Sequence, residues 1–370
     1  MMLPLLWMAV AWAAPWVAPS PASPGPHAAQ VVELGAGDAG VFVGPRAPRI
    51  HVPARVRTGS RVLAWEVWWR RPRHLPWSAI TDLVLFAAEV EHDGRIVETE
   101  HWGEAARRAN EGRFFGVDVH LAVRQFDPTA LESLLRSAEH RARFVQQLRY
   151  WVVGTGAAGV VVDLEGVPRR RRAQLVALAR ELAEADLGEI VFAIPAVDHA
   201  GAWDLAAIAE HATLYLMAYD YHWNGSSFAG PVDPVQAGEG TVWRGVNRYS
   251  VARSVGAVLT AGVPSERVLL GIALYGRRWP VAGSALPTRT TGRGRALTFD
   301  EARPPAGVAR QVEASSQSLW YQAGGHQTWA GDAETLRARV GLARRHQLGG
   351  VGFWALGYAE QGEVWSALRE

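Results

Sequence analysis

Short apolar runs alternate with amphipathic stretches from about Arg61 to the C-terminus. Eight of these runs are rich in β-branched residues and lack polar alternation, which predicts strands buried on both faces. Strands separated by amphipathic stretches indicate βα units and a mostly parallel sheet. The predicted strands are Val62 to Trp65, Leu83 to Ala88, Val117 to Val123, Gly159 to Leu164, Ile190 to Ile194, Thr213 to Ala218, Val268 to Leu274 and Gly350 to Trp354.

Helix signals lie between these strands. Asp127 followed by Pro128 is an N-cap with proline at the first helical position. The leucines after Pro168 recur at helical spacing, and Gly349 follows the last predicted helix. The helices predicted in this way run from Asp127 toward Trp151, from Pro168 through Leu182, and from Asp332 to His346. Eight strands, each followed by a helix, predict an α/β fold of the (β/α)8 TIM barrel type.

Two long spans without helical periodicity interrupt this rhythm, Asp220 to Asn247 and Tyr275 to Ala330. Each follows a predicted strand, so both belong to the face of the barrel on which active sites lie. The second span is long enough to predict a small insertion between strand 7 and helix 7, at about residues 276–330.

The N-terminal region differs in composition from the rest. Met1 to Ala14 is apolar, and Ala11-Trp12-Ala13 is a small-x-small cleavage signal, although no basic residue precedes the apolar core. The stretch is too short for a transmembrane helix and is also interrupted by prolines at positions 4 and 15. We therefore predict a signal peptide over residues 1–13, a secreted or periplasmic location with no membrane association after cleavage, and a Pro/Ala/Gly-rich linker or arm over 14–59, before a domain at 60–370.

Composition excludes several chemistries. All 38 basic residues are arginine, so no lysine can form a Schiff base or serve a phosphate loop. With no cysteine there is no thiol nucleophile, disulfide or thiolate metal site. The 12 histidines show no metal-binding spacing, and a formal charge of +2 gives no reason to expect nucleic acid. We expect no cofactor and no metal; we also expect a monomer, although the sequence does not fix the oligomeric state.

The strand that ends in Asp163 and Glu165 carries the most specific chemical signal. Residues two apart on a strand point the same way, so the two carboxyl groups share one face at a strand end. Their repulsion and burial should raise at least one pKa, which suits a general acid. The alternative is structural: the two acids cap the next helix or pair with Arg169 to Arg172.

Several segments, taken together, resemble the family 18 glycoside hydrolases, the chitinases and their relatives that act on N-acetylglucosamine polymers. The resemblance spans about Arg61 to the C-terminus, and the spore-cortex and peptidoglycan-lytic branch of the family looks closer to this chain than the large insect or fungal chitinases. It rests on the order and strand placement of Gly159 to Glu165, Ala193-Ile194-Pro195-Ala196, Met217-Ala218-Tyr219-Asp220, Leu274-Tyr275-Gly276-Arg277, Leu297 to Glu301 and Gly350 to Trp354.

The resemblance implies a retaining, substrate-assisted mechanism on a polysaccharide that contains N-acetylglucosamine. Glu165 is then the acid and base, Asp163 orients the substrate's acetamide N–H, and Tyr219 holds the acetamide carbonyl. The sugar pocket is assigned to Met217, Asp220, Trp354, Tyr275, Arg277 and Trp65. Trp354 is the expected floor, because pyranose rings stack on flat aromatic faces.

One departure bears on activity. Family members usually carry two further acids on this strand, at positions that hold Ala158 and Val161 here. Asp163 therefore lacks its inner partner, and an altered pH profile or a loss of turnover follows. The alternative function is accordingly a catalytically weak or inactive chitinase-like protein that binds carbohydrate.

Other side chains have structural alternatives. Met217, Tyr219 and Trp354 could be ordinary core residues. Arg169 to Arg172 could grip an anionic glycan, but such a run is more often a solvated helix face. A set of tryptophans is placed on loops at the barrel mouth, where they could line a groove or pack the insertion: Trp65, Trp68, Trp69, Trp223, Trp243 and Trp279.

Overall fold

The computed structural model describes residues 60–360 and 362–368, and its central feature is a closed barrel of eight parallel strands. Barrel strands 1 and 2 pair with each other, while strand 1 also pairs with strand 8, so the sheet closes on itself. The TIM barrel predicted from the sequence is confirmed. Barrel strands 1 to 8 are Arg61–Val67, Asp82–Val90, Asp118–Gln125, Gly159–Leu164, Glu189–Pro195, Thr213–Met217, Val268–Ala273 and Gly350–Leu356.

Seven α-helices are described, and most of them cover the outside of the barrel. They are α1 Ala105–Phe115, α2 Pro128–Arg136, α3 Ala138–Thr155, α4 Arg172–Glu184, α5 Leu205–Ala209, α6 Val251–Thr260 and α7 Ala333–Arg345. Short 3-10 helices span Thr99–Trp102, Arg169–Arg171, Ser265–Arg267 and Gly362–Leu368.

The helix predictions need two corrections. Residues 68–81, between barrel strands 1 and 2, contain no helix, so the rule of a helix after every strand is wrong there. The single helix predicted from Asp127 toward Trp151 is in fact α2 and α3, which meet at Ser137. Ser137 has an extended backbone, and its hydroxyl accepts a hydrogen bond from the His140 N–H at 3.2 Å, which starts a new helix.

An antiparallel five-stranded sheet lies between barrel strand 7 and α7. Its strands, in spatial order, are Arg295–Thr298, Tyr275–Pro280, His326–Ala330, Ser318–Ala323 and Gln311–Glu313. Two-residue strands at Ile96–Val97, Phe228–Ala229 and Thr288–Arg289 complete the described strands. The sheet has its own small core of indole rings, in which Trp279 and Trp329 are fully buried.

An ion-pair network fills the end of the barrel at which the strands begin. The Arg61 Nη2 lies 2.6 Å from the Asp82 Oδ1 and 2.7 Å from the Glu189 Oε2. The His120 Nε2 lies 2.9 Å from the same Asp82 Oδ1, and the Thr213 hydroxyl donates to Glu189 at 2.9 Å. The network spans strands 1, 2, 3, 5 and 6, so it joins most of the barrel at its base.

The predicted signal peptide and linker, residues 1–59, lie outside the described residues. Within the part that is described, no helix combines the length and the apolar character that crossing a bilayer requires.

Candidate active site

Barrel strand 4 carries Asp163 and Glu165 to the mouth of the barrel. All six residues of the strand are buried, as a strand that lies between two neighbours and beneath helices must be. The strand ends because Gly166 adopts a left-handed backbone, with φ at 84°. Asp163 is 3% exposed, whereas Glu165, just beyond the strand, is half-buried and open to solvent. One acid is thus held inside the barrel and the other can be reached from outside.

Gln125, at the end of barrel strand 3, fixes the backbone of Glu165. Its carbonyl accepts the Glu165 N–H at 3.0 Å, and its side-chain Nε2 donates to the Val90 carbonyl at 2.6 Å. The sequence prediction ended strand 3 at Val123 and missed this residue. The available signal was a polar residue two positions after a buried apolar run and two residues before a helix N-cap.

Barrel strand 6 carries Tyr215 and Met217, and Tyr219 follows two residues after its end; all three side chains are buried. Burial raises the pKa of Tyr219 well above its ordinary value, and the nearby charge of Asp163 adds to the shift. Asp163 and Tyr219, which belong to separate sequence motifs, therefore lie close enough for the Asp163 charge to act on the Tyr219 hydroxyl. Because the phenol stays protonated at neutral pH, it can donate a hydrogen bond.

Asp220 follows Tyr219 in a left-handed conformation, with φ at 60°. Aspartate tolerates this region of backbone conformation better than most residues. The turn at Asp220 changes the direction of the chain after barrel strand 6. The Asp220 Oδ1 accepts hydrogen bonds from Arg277 Nη2 at 2.9 Å and Nε at 3.2 Å, and both side chains are buried. The guanidinium also lies 5.8 Å from the centre of the Tyr275 ring. A charge pair thus joins the loop after strand 6 to the insertion.

Trp354, at the upper end of barrel strand 8, lies in an aromatic cluster. Its ring centroid is 4.8 Å from that of Phe86, 5.3 Å from that of Trp65 and 6.4 Å from that of Trp69. Tyr219 and Tyr275 form a second edge-on pair, with centroids 6.1 Å apart. These rings make the interior of the barrel mouth largely aromatic and rigid.

The structure sorts the tryptophans that the sequence placed on mouth loops. Trp65 lies within barrel strand 1 and is 1% exposed, so its loop placement is wrong. Trp243 and Trp279 are 0% exposed in the core of the insertion, so they do not line a groove. Trp69 is 6% exposed, whereas Trp68 and Trp223 keep partly open faces. Trp68 stacks on His101 with centroids 4.3 Å apart, a pairing that sequence reasoning did not find.

The arginine run after strand 4 is mostly engaged in ion pairs. Arg170 and Arg171 both pair with Glu132 on α2, and Arg172 pairs with Asp204. These contacts tie neighbouring α-helical segments together around the barrel. These ion pairs favour a structural role for the arginine run over binding of an anionic glycan.

Within the described part of the chain, a single group of three side chains has the spacing of metal ligands. Ligand atoms of Asp82, His120 and Glu189 all lie within 4.8 Å of one another. The Arg61 guanidinium hydrogen-bonds both carboxylates, so the protein itself supplies the positive charge there. The cluster lies at the base of the barrel, opposite the mouth.

Known proteins share both sequence and fold with this chain. The family model for "Glycosyl hydrolases family 18" matches residues 65–359. "Putative sporulation-specific glycosylase YdhD" of Bacillus subtilis (strain 168) is 23% identical over 260 residues, which cover 64% of this chain and 56% of that protein. The chain thus spans little more than half the length of this relative.

Two solved structures superpose on the barrel and insertion. A family 18 chitinase mutant from Cycas revoluta, in complex with (GlcNAc)4, gives a TM-score of 0.75 at 17% identity, covering 84% of this chain and 99% of that one. Human YKL-39, described as a pseudo-chitinase that retains chitooligosaccharide binding, gives 0.71 at 17% identity, covering 81% and 93%. With the fold, the motif order and the family match in agreement, this chain belongs to glycoside hydrolase family 18.

Proposed function

We propose that this protein cleaves β-1,4 bonds next to N-acetylglucosamine, in chitin or peptidoglycan, by a retaining mechanism in which the substrate supplies the nucleophile. The observation that carries the proposal is the joint placement of three groups at the barrel mouth. Glu165 is accessible, Asp163 is buried two residues before it, and the Tyr219 phenol lies within the electrostatic reach of Asp163. A protein that only bound sugar would not need an accessible acid at this point.

In the first step, Glu165 donates its proton to the leaving glycosidic oxygen while the bond from that oxygen to C1 breaks. The carbonyl oxygen of the 2-acetamido group forms a bond to C1 and gives an oxazolinium ion. Asp163 stabilises the positive charge at the acetamide nitrogen, and the Tyr219 hydroxyl donates a hydrogen bond to the attacking carbonyl oxygen. A tethered nucleophile needs no flanking second carboxylate, because it is already held near the reacting carbon.

In the second step, the Glu165 carboxylate takes a proton from water, and the water oxygen attacks C1. The bond from C1 to the acetamide oxygen breaks, and the acetamide is restored. Two inversions at C1 give net retention. Trp354 provides the floor beneath the sugar, and the buried Asp220–Arg277 pair, with Met217 and Tyr275, shapes the wall. Trp65 lies edge-on to Trp354, with ring centroids 5.3 Å apart, and supports it from within the barrel. We place this activity outside the cytoplasm, on the evidence of the apolar N-terminal segment.

The first testable prediction concerns Glu165. Glu165→Gln keeps the size of the side chain and removes its proton, so release of reducing ends should fall by at least about 100-fold while sugar binding persists. The measurement is reducing-end release from chitooligosaccharides and from peptidoglycan, with the anomer of the first product read by NMR. Glu139→Gln, an exposed residue on α3, is the matched control and should retain activity.

A second function has a specific observation in its favour. Val161, below Asp163 in the barrel, is apolar and fully buried, so no inner acid supports Asp163 from that position. YKL-39, with the same fold, is described as binding chitooligosaccharides without being a true chitinase. Equal binding by wild type and Glu165→Gln, with no product from either, would establish the sugar-binding function instead.

A further inference from the structure

Arginines at the barrel mouth fall into two groups that differ in their ion pairs. On the side formed by barrel strands 1 to 3, they have carboxylate partners. Arg70, after strand 1, lies 3.6 Å from Glu301, and Arg124, near the end of strand 3, lies 2.9 Å from Glu89. On the side formed by the loops after strands 4 to 6, three exposed arginines form no ion pair with any carboxylate of the described chain. This second group, the basic rim, consists of Arg169, Arg248 and Arg253.

Tyr249, in the loop that leads into α6, holds two members of the basic rim. The guanidinium carbon of Arg248 lies 5.2 Å from the centre of the Tyr249 ring, and that of Arg253 lies 5.7 Å from it. The Arg248 Nη2 also donates to the Tyr249 hydroxyl at 3.0 Å. An aromatic ring orients a guanidinium group without neutralising it. Two positive charges are therefore held near each other at the surface.

The basic rim lies on the same side of the mouth as Glu165. The Tyr249 ring meets that of His199 edge-on, with centroids 5.5 Å apart, and His199 belongs to the loop after barrel strand 5. Two residues further along this loop, a Cβ added at Gly201 would lie 3.8 Å from the Arg169 Nε. Arg169 follows Glu165 by four residues. The rim therefore extends from the neighbourhood of the acid to the start of α6.

The acidic groups near the basic rim have other partners. Asp198 accepts the backbone N–H of Trp203 at 2.9 Å, and Asp204 pairs with Arg172 at 3.1 Å. Partial desolvation and the charge of Arg248 lower the pKa of His199, against an opposing effect of Asp198, so His199 is neutral at pH 7. Three guanidinium charges face a single nearby carboxylate that has no arginine partner. The rim is therefore net positive.

We propose that the basic rim binds carboxylate groups of the substrate, so that the enzyme prefers an anionic N-acetylglucosamine polymer, peptidoglycan, to neutral chitin. This inference rests on the proposed function. Glu165 protonates the leaving oxygen, so the leaving part of the substrate lies on the Glu165 side of the mouth, where the rim is. The peptide stems of peptidoglycan carry carboxylates, and a guanidinium group binds a carboxylate through two parallel N–H donors.

The kinetic test is the double variant Arg248→Gln/Arg253→Gln. Its kcat/KM on soluble peptidoglycan strands should fall about fivefold, mainly through KM, because each exposed charge pair is weak and acts on binding. Cleavage of chitooligosaccharides with the same number of sugars should not change. Arg149→Gln/Arg267→Gln is the matched control, because it removes two exposed arginines away from the mouth. This control should leave both rates unchanged.

A change in the substrate tests the same contact. Peptidoglycan strands whose carboxyl groups have been converted to neutral amides should be cleaved by wild type with a kcat/KM about fivefold below that of the untreated strands. The double variant should cleave both preparations equally. Added salt should slow wild type on the untreated strands only. Equal effects of the double variant on charged, amidated and chitin substrates, or no effect on any of them, would overturn the inference.

Binding separates this inference from the proposed function. In the Glu165→Gln background, calorimetry should show tighter binding of untreated strands than of amidated strands, and adding the two rim substitutions should remove the difference. Equal binding of the two preparations, with product released by wild type, would refute the inference and leave the glycosidase activity established. A charge preference in a wild-type protein that releases no product would support the rim and refute the proposed glycosidase.

Discussion

At the scale of single residues, burial rather than identity separates the two acids of strand 4. Asp163 is enclosed by the barrel and lies close to the Tyr219 phenol, whose pKa is raised, whereas Glu165 is held at the mouth by its backbone contact with Gln125. The sequence predicts that both carboxyl groups point the same way, because they are two residues apart. Which of them solvent reaches depends on where the strand ends, and the left-handed turn at Gly166 decides that.

His222 shows how one buried residue links stability to pH. Its Nδ1 lies 2.9 Å from the Pro231 carbonyl, so this nitrogen carries the proton and donates it. Burial lowers the pKa of His222 to about 4. Between pH 6.5 and about 4, His222 is therefore protonated in the unfolded chain but not in the folded chain. The free energy of unfolding must fall as the pH falls through this range.

We predict that His222 accounts for about 3 kcal/mol of the stability lost between pH 6.5 and 4. His222→Asn keeps a donor for the Pro231 carbonyl but removes the titration, so it should lower stability at pH 7 and flatten the loss in acid. The measurement is the free energy of urea unfolding at several pH values. His92→Asn, at an exposed turn, is the control, and an equally flat curve for that variant would contradict the assignment to His222.

At the scale of secondary-structure elements, the barrel strands were the easiest part to predict. A strand buried on both faces has an almost uninterrupted apolar sequence. Each of the eight predicted runs corresponds to a barrel strand, and their ends differ by at most two residues. Helices were harder, because their periodicity continues through a short break. Ser137 interrupts an otherwise helical pattern, and only its extended backbone and its cap contact reveal two helices.

Ser137 therefore gives an element-scale prediction. Ser137→Ala removes the oxygen that accepts the His140 N–H and should destabilise the protein by about 1 kcal/mol. Ser133→Ala, inside α2, removes a hydroxyl where alanine is the better helix former, and it should be neutral or stabilising. Urea unfolding at neutral pH measures both variants. Equal losses would indicate that the break between α2 and α3 does not depend on this cap.

At the scale of the whole molecule, the barrel has an ionic base and an aromatic mouth. The base network joins residues that are far apart in sequence, from Arg61 through Asp82 and His120 to Glu189. Burial by itself would raise the pKa of Asp82, but hydrogen bonds from His120 and Arg61 outweigh it and hold that pKa well below its usual range. The stabilisation is present above the ordinary carboxyl pKa and is lost as the pH falls below it.

Asp82→Asn should therefore destabilise the barrel at pH 7 by about 3 kcal/mol, because it leaves the Arg61 charge with one partner fewer in a largely buried site. The difference from wild type should shrink in acid, because below the ordinary carboxyl pKa the unfolded wild-type chain protonates Asp82 while the folded chain keeps it ionised. Asp93→Asn, in a surface ion pair with Arg95, is the matched control and should change stability little. The measurement is urea unfolding at pH 7 and pH 3, and a pH-independent difference would argue against the network.

The sequence by itself determined the strands, the barrel class, the family and the acid pair. The strands and the barrel class follow from local periodicity, and the family and the acid pair follow from short motifs. It also predicted the long insertion after barrel strand 7. Tertiary structure alone decided which tryptophans are buried, that Arg170 and Arg171 pair with Glu132, and that Tyr249 packs against His199 from another loop. The physical reason is that exposure and charge pairing depend on the closure of the barrel, which brings together residues that no local pattern relates.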